Sequence, residues 1–174
     1  MRRHWYLLIA AAALGCGLLG RRAALRPQDV RRLALRPVIN KTQQFGLEDA
    51  LLLRTRDEFL RDGRCPLVTE PQAQDVVRIT LTTYLYTPIQ YDSALKPTAY
   101  KLEIRADAEL LDAGKPEPPL WVGKDIDELL TFPAPTLPGG LTEAGAQSEI
   151  WDAMSRDIVD RVMEGLAGPD ARVK

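Results

Sequence analysis

The chain has 174 residues, with 23 lysines and arginines against 24 aspartates and glutamates, one histidine and two cysteines. That length suits a single domain with one good core, and the near-neutral charge carries no nucleic-acid signature. The lone His4 lies in an apolar N-terminal stretch, which removes Ser-His-Asp and Cys-His catalysis and histidine-ligated zinc or iron; with no GxxxxGK or GxGxxG loop either, an enzyme would be left with carboxylate or lysine chemistry.

Met1 to Gly20 reads MRRHWYLLIAAAALGCGLLG. Arg2 and Arg3 form a basic start, Trp5 to Leu14 an apolar run, and Ala13-Leu14-Gly15 places small or apolar residues before Cys16. This resembles a lipoprotein signal peptide, which implies cleavage after residue 15 and acylation of Cys16. Each buried methylene contributes about 0.8 kcal/mol and one chain anchors only marginally, so Cys16 is expected to carry two or three chains as a tether and not to act as a catalyst. An uncleaved membrane anchor and a cytoplasmic protein with an apolar N-terminus stand as alternatives; Trp5 to Gly20 is short of the roughly 20 residues a spanning helix needs. Loss of Arg2 and Arg3 would reduce the 23 basic residues to 21 against 24 acidic, a net charge of about −3. Residues 16–30, with Arg21, Arg22 and Arg26, read as a tether, either solvated or lying on anionic head groups.

Arg32 to Asn40 alternates Leu33, Leu35 and Ile39 with Ala34, Arg36 and Val38, interrupted by Pro37, and predicts an edge strand. Gly46 to Gly63 predicts a helix: Leu47, Ala50, Leu51, Thr55 and Phe59 form its stripe, Glu48 and Asp49 suit its positive end, and Gly63 stops it. Cys65 comes next, read as a small half-buried hydrophobe in preference to a reactive thiol. Pro66 to Thr69 reads as a short strand and Glu70 to Gln74 as a turn. From Val76 to Tyr86 the pattern is a strand with Val77, Ile79, Leu81, Thr83 and Leu85 on one face and Arg78, Thr80, Thr82, Tyr84 and Tyr86 on the other. Pro88 to Thr98 reads as a loop. Tyr100 to Leu110 predicts a second strand, with Leu102, Ile104, Ala106 and Ala108 facing in and Lys101, Glu103, Arg105, Asp107 and Glu109 facing out, as in an antiparallel sheet covered on one side. Leu120 to Gly123 reads as a short strand and Lys124 to Gly140, with Pro133, Pro135 and Pro138, as irregular. A last helix is expected from an N-cap at Thr142 to Leu166, with a disordered tail over 169–174. The expected fold is α+β: two helices packed on one face of a mainly antiparallel, roughly four-stranded sheet, making a single domain over 31–168.

The succession of signal peptide, strand ending in Asn-Lys-Thr, helix, strands and C-terminal helix resembles the lipopolysaccharide-assembly lipoproteins of the LptE type. The likeness runs through Cys16-Gly17, Leu33 to Thr42, Gly46-Leu47-Glu48, Glu58-Phe59-Leu60, Gln74-Asp75, Tyr84, Tyr91 and Tyr100 to Asp112. It implies a non-enzymatic protein with no cofactor, anchored by its acyl chains to the periplasmic face of the outer membrane. It would plug a large β-barrel of the LptD type and help deliver lipopolysaccharide to the cell surface. Gly17 after the cysteine agrees with outer-membrane sorting.

A plug meets a polar barrel lumen and phosphorylated head groups, which lysine and arginine bind. Arg78, Lys101, Arg105 and Lys124 are therefore the candidate lipopolysaccharide-binding residues, against the alternative of a solvated face laced with cross-strand ion pairs. Tyr84, Tyr86 and Trp121 are the candidate contacts to the barrel; strand packing for the tyrosines and a core role for Trp121 remain open beside that. Asp107 and Glu109, two apart on one strand face, could serve a glycosidase, but flanking cations would keep both ionised. An outer-membrane adaptor that binds another periplasmic protein is the other non-enzymatic reading.

Overall fold

The computed structural model describes residues 31–167; the expected signal peptide, Cys16, the tether and the tail lie outside them. The elements are β1 (Leu33–Leu35), β2 (Ile39–Asn40), α1 (Leu47–Asp62), a 3-10 turn at Glu70–Gln72, β3 (Asp75–Tyr91), β4 (Pro97–Asp112), β5 (Trp121–Pro133) and α2 (Glu143–Ala167). Both predicted helices form where their apolar stripes place them. In α1 the buried residues are Leu47, Leu51, Thr55 and Phe59, four apart, and the helix ends on Gly63, whose left-handed φ of 68° lets its N–H reach Phe59 O. In α2, Thr142 Oγ1 accepts the Gly145 N–H at 3.1 Å, the N-cap bond expected of it. Both stripes close on one core with the sheet's inner face.

The sheet is mixed, with five strands in place of the expected four. The single predicted edge strand over 32–40 is two short strands, both parallel to β3. Pro37 lies between them and has no N–H to give, so the ladder resumes only on either side of it, at Arg36 N to Val77 O and Lys41 N to Leu81 O. Leu67, from the expected 66–69 strand, makes only an isolated bridge to Leu33.

Strands β3, β4 and β5 form an antiparallel meander of long strands. The predicted loop over 88–98 shrinks to a turn between Tyr91 and Pro97, and the stretch read as irregular from Lys124 is largely strand, since β5 runs on to Pro133. Register shifts interrupt the meander, two near its Tyr91–Pro97 turn and two in its body. Thr82 is an extra residue between the Leu81–Ala106 and Thr83–Arg105 pairs, and Lys124 and Asp125 together oppose Asp107. Asp125 takes a left-handed φ of 52° there, and its N–H bonds to Asp107 Oδ1 at 3.0 Å. Each bulge shifts the alternation by one and so exchanges the faces of the residues after it.

The inner face accordingly runs in rows across three strands: Val77, Leu110, Trp121; Ile79, Ala108, Gly123; Leu81, Ala106, Ile126; then Tyr84, Ile104, Glu128 and Tyr86, Leu102, Leu130. At one end Asp75 is fully buried, with Arg31 Nη2 donating to its Oδ1 at 2.7 Å. Burial raises the pKa of that carboxyl despite the pull of Arg31 in the other direction.

Trp121 lies between two glycines. A Cβ on Gly165 of α2 would sit 2.7 Å from Trp121 Cγ, and one on Gly123 would sit 2.4 Å from the far edge of the same ring. The absence of side chains there is what lets α2 approach the strand. Gly165→Ala gains roughly 1 kcal/mol of helix propensity, but overpacking against a ring held on both sides costs about 1–3 kcal/mol. We expect a net loss seen as a lower denaturant midpoint, and a gain relative to Trp121→Ala alone when the same change is added to that variant.

Candidate functional site: the outer sheet face

Beyond a small buried cluster of Ala34, Val76 and Leu111 at one end, the helices leave the other face of the long meander open. Its rows are Arg78, Glu109, Val122; Thr80, Asp107 and the Lys124–Asp125 bulge; Thr83, Arg105, Asp127; Leu85, Glu103, Leu129; and Thr87, Lys101, Thr131. All four cations predicted for lipopolysaccharide therefore belong to one surface. Arg78 pairs across strands with Glu109 and reaches Glu117 at 3.8 Å. Lys101 Nζ and Arg105 Nη2 meet the two oxygens of Glu103 at 3.2 and 2.7 Å. That cluster runs along β4, not across strands as the ion-pair reading expects. Exposed Lys124 has no ion-pair partner among the described residues.

Glu103 is the centre of the face. Lys101 and then Arg105 hold its carboxyl below the ordinary glutamate value of 4.5. Across the strands it is flanked by Leu85 and Leu129, which are 50% and 53% exposed. A carboxylate bracketed by two cations in one direction and two leucines in the other gives an amphipathic patch, charged along the strand and apolar across it.

Two predicted barrel contacts change face. Tyr84 and Tyr86 lie on the helix side, because the Thr82 bulge reverses the strand before them. Tyr84 Oη bonds Glu143 and accepts from Gln147 Nε2 at 2.7 Å, tying β3 to the first turns of α2; burial, then the Glu143 carboxylate, raises its pKa well above the usual tyrosine value. Tyr86 stacks on Tyr100 at 4.9 Å, with Phe132 alongside at 6.3 Å. Trp121 packs inward, between its two glycines. The side chains that take the outer places are Leu85 and Leu129, neither of them singled out from sequence. Unbroken alternation assigns Leu85 inward, and nothing in Thr82-Thr83 announces a bulge. At the β5 bulge there is a signal, since Gly-Lys-Asp offers an aspartate that tolerates left-handed backbone.

Cys65 is half-buried, and burial raises the pKa of its thiol. Asp107 and Glu109 are each engaged, with the Asp125 N–H and Arg78 respectively. No group of acid, cysteine or histidine side chains among the described residues is arranged to hold a metal ion. No helix of the described residues is long and apolar enough to cross a membrane.

A family model described as "LptE: Lipopolysaccharide-assembly" matches residues 30–166. No curated protein matches the chain. Among solved structures the chain is similar to rare lipoprotein B from Shewanella oneidensis, at 14% identity over 78% of this chain and 93% of that one, with a TM-score of 0.44. It is also similar to lipoprotein B from Nitrosomonas europaea (14% identity, 79% and 82% covered, TM-score 0.47) and to the hypothetical protein CT253 from Chlamydia trachomatis (14%, 79% and 98%, TM-score 0.48).

The geometry of the face and of Tyr84 leads to two measurements. Tyr84→Phe leaves Glu143 and Gln147 without their partner, and we expect a loss of about 1–3 kcal/mol in a denaturant titration. For Glu103, whose folded pKa is depressed, the stability it contributes is present above its unfolded value of 4.5 and disappears as pH falls through the folded value. The gap between the wild type and Glu103→Gln should therefore be widest near neutrality and close on acidification.

Proposed function

The chain belongs to the LptE lipopolysaccharide-assembly family, and from that membership we propose that it is a non-enzymatic outer-membrane lipoprotein, tethered through acylated Cys16, that plugs a large β-barrel of the LptD type. The observation that carries the reading is the family match, which spans β1 through α2 and so takes in the whole described domain. Physical chemistry supports it at two points. The inward side chains of a barrel are polar, and the outer face offers threonines, a bracketed carboxylate and cations, with apolar contact centred on Leu85 and Leu129. Lipopolysaccharide head groups are phosphorylated, and Lys101 and Arg105 share a single carboxylate, Glu103, while Lys124 adds a further exposed cation. Arg78, matched by Glu109, contributes least to head-group binding. Contact with the barrel falls on the outer rows around Leu85 and Leu129, with Tyr84, Tyr86 and Trp121 acting from behind by fixing those rows against α2.

The full-length protein, tagged at its C-terminus and extracted in detergent from its host, should bring down a large barrel protein and carry acyl chains on Cys16. An unmodified N-terminus by mass spectrometry would overturn the anchor, and a soluble periplasmic partner in place of a barrel would favour an adaptor. Depletion should remove lipopolysaccharide from the cell surface. Charge-assisted hydrogen bonds contribute about 1.5–3 kcal/mol each, so replacing Lys101, Arg105 and Lys124 with glutamine should weaken lipopolysaccharide binding at least tenfold. Unchanged binding would sink the head-group role and leave the plug reading standing.

A further inference from the structure

The two edges of the sheet are treated differently. Among the described residues β5 has no neighbour beyond β4, and its free edge is blunted by the Lys124–Asp125 bulge, by Asp127 and by Pro133, the usual protections against strand pairing. At the other edge β1 and β2 cover β3 only as far as Leu81. Beyond it Thr82 to Thr87 reads Thr-Thr-Tyr-Leu-Tyr-Thr, all strand formers and without a charge. No strand of the described residues lies beside that stretch opposite β4.

The main chain there has groups to offer. Core-facing residues of β3 turn their main chain toward β1 and β2, as the bonds to Val77 O and Leu81 O show. By the same alternation Tyr84 and Tyr86, core-facing past the bulge, direct their N–H and C=O outward from the sheet edge. Pro88, next in that series, has no N–H and ends the run.

The chain itself clears the place beside them. β2 would continue along β3, but Asn40 turns it away. Its Oδ1 accepts from Thr42 N at 2.9 Å, and its Nδ2 donates to Gln44 O at 2.8 Å and to Glu48 Oε2 at 2.9 Å. The loop so held stands across from β3, and a cleft of about 660 Å³ opens between Lys41–Gln44 and Thr82–Leu85. Its lining has one cation, Lys41, and no carboxylate.

We propose that this cleft takes one extended segment of the barrel partner, which adds to the sheet along Thr83–Thr87 in the position β2 vacates. The inference rests on the plug reading. Thr82–Leu85 bounds the cleft on one side and Lys41–Gln44 on the other, so its occupant is a single strand laid between them. The segment must also come from a loop reaching into the lumen, because strands in a closed barrel wall already have both edges paired. Main-chain bonds to Tyr84 and Tyr86 give the affinity, and contacts beside Thr83 and Leu85 the selectivity, as in other strand additions.

The test is amide hydrogen exchange on the full-length protein, alone in detergent and as the complex purified with its barrel. The Tyr84 and Tyr86 amides should exchange freely in the first and be slowed roughly tenfold or more in the second, with Asp127 and Leu129 of the β5 edge changing less. Thr83→Glu with Thr87→Glu puts charge on the edge while facing each new carboxylate to a cation, Arg105 and Lys101, and the protection should vanish while the melting transition is kept. A barrel that co-purifies while Tyr84 and Tyr86 still exchange freely overturns strand addition and leaves the plug reading intact. Slowing that already appears in the free protein as its concentration rises assigns the edge to a second copy and overturns it too. No barrel in the preparation removes the plug reading and the inference with it.

Discussion

Strands β3 and β5 each carry a bulge on either side of β4, and the inner face of the sheet depends on that matched pair of shifts. From Lys101 to Leu110 strand β4 alternates without a break, its apolar side chains on the inner face and its charges on the outer one, while Leu111 is buried on the outer side with Ala34 and Val76. Its neighbours stay in phase with it only by inserting Thr82 on one side and the Lys124–Asp125 pair on the other. Without the first, Tyr84 and Tyr86 would face solvent and Leu85 would meet α2. A one-residue slip reverses a whole strand, so each bulge decides the environment of every residue beyond it.

What could be read from sequence divides along the same line. Both helices, their caps and the faces of β4 arise from periods that nothing interrupts, and Gly63 and Thr142 end and begin helices as their chemistry requires. The candidate cations were legible for that reason: Lys101 and Arg105 sit on the unbroken strand, and Arg78 precedes its bulge. The partition of Tyr84, Tyr86 and Leu85 was not legible, since a bulge is a tertiary accommodation to a neighbouring strand. Strand β5 was hidden twice, by the phase shift at Asp125 and by prolines that fall where the sheet needs no donor. Trp121 could be placed only by the glycines that receive it, one close in sequence and one on a helix 44 residues later.

The two faces of the sheet divide the work of the domain. The inner face and the helices make an apolar core in which Tyr84 is tied by hydrogen bonds to α2. The outer face mixes ion pairs and threonines with two exposed leucines and the partly buried Val122. Asn40 belongs to this division as well. By satisfying three hydrogen-bonding groups of its own loop and a fourth, Glu48, in the first turn of α1, it ends β2 early, and the Asn-Lys-Thr stretch is thereby explained as a turn device.

The buried Asp75 gives the domain an unusual relation to acid. Its carboxyl takes up a proton more readily than an ordinary aspartate, and once neutral it no longer weighs on the fold as an unsolvated anion, so this end of the sheet grows firmer as the medium sours. The same proton frees Arg31, the first described residue, from its counter-ion. One hydrogen ion on Asp75 thus relieves a buried charge and, in the same event, releases the side chain of Arg31.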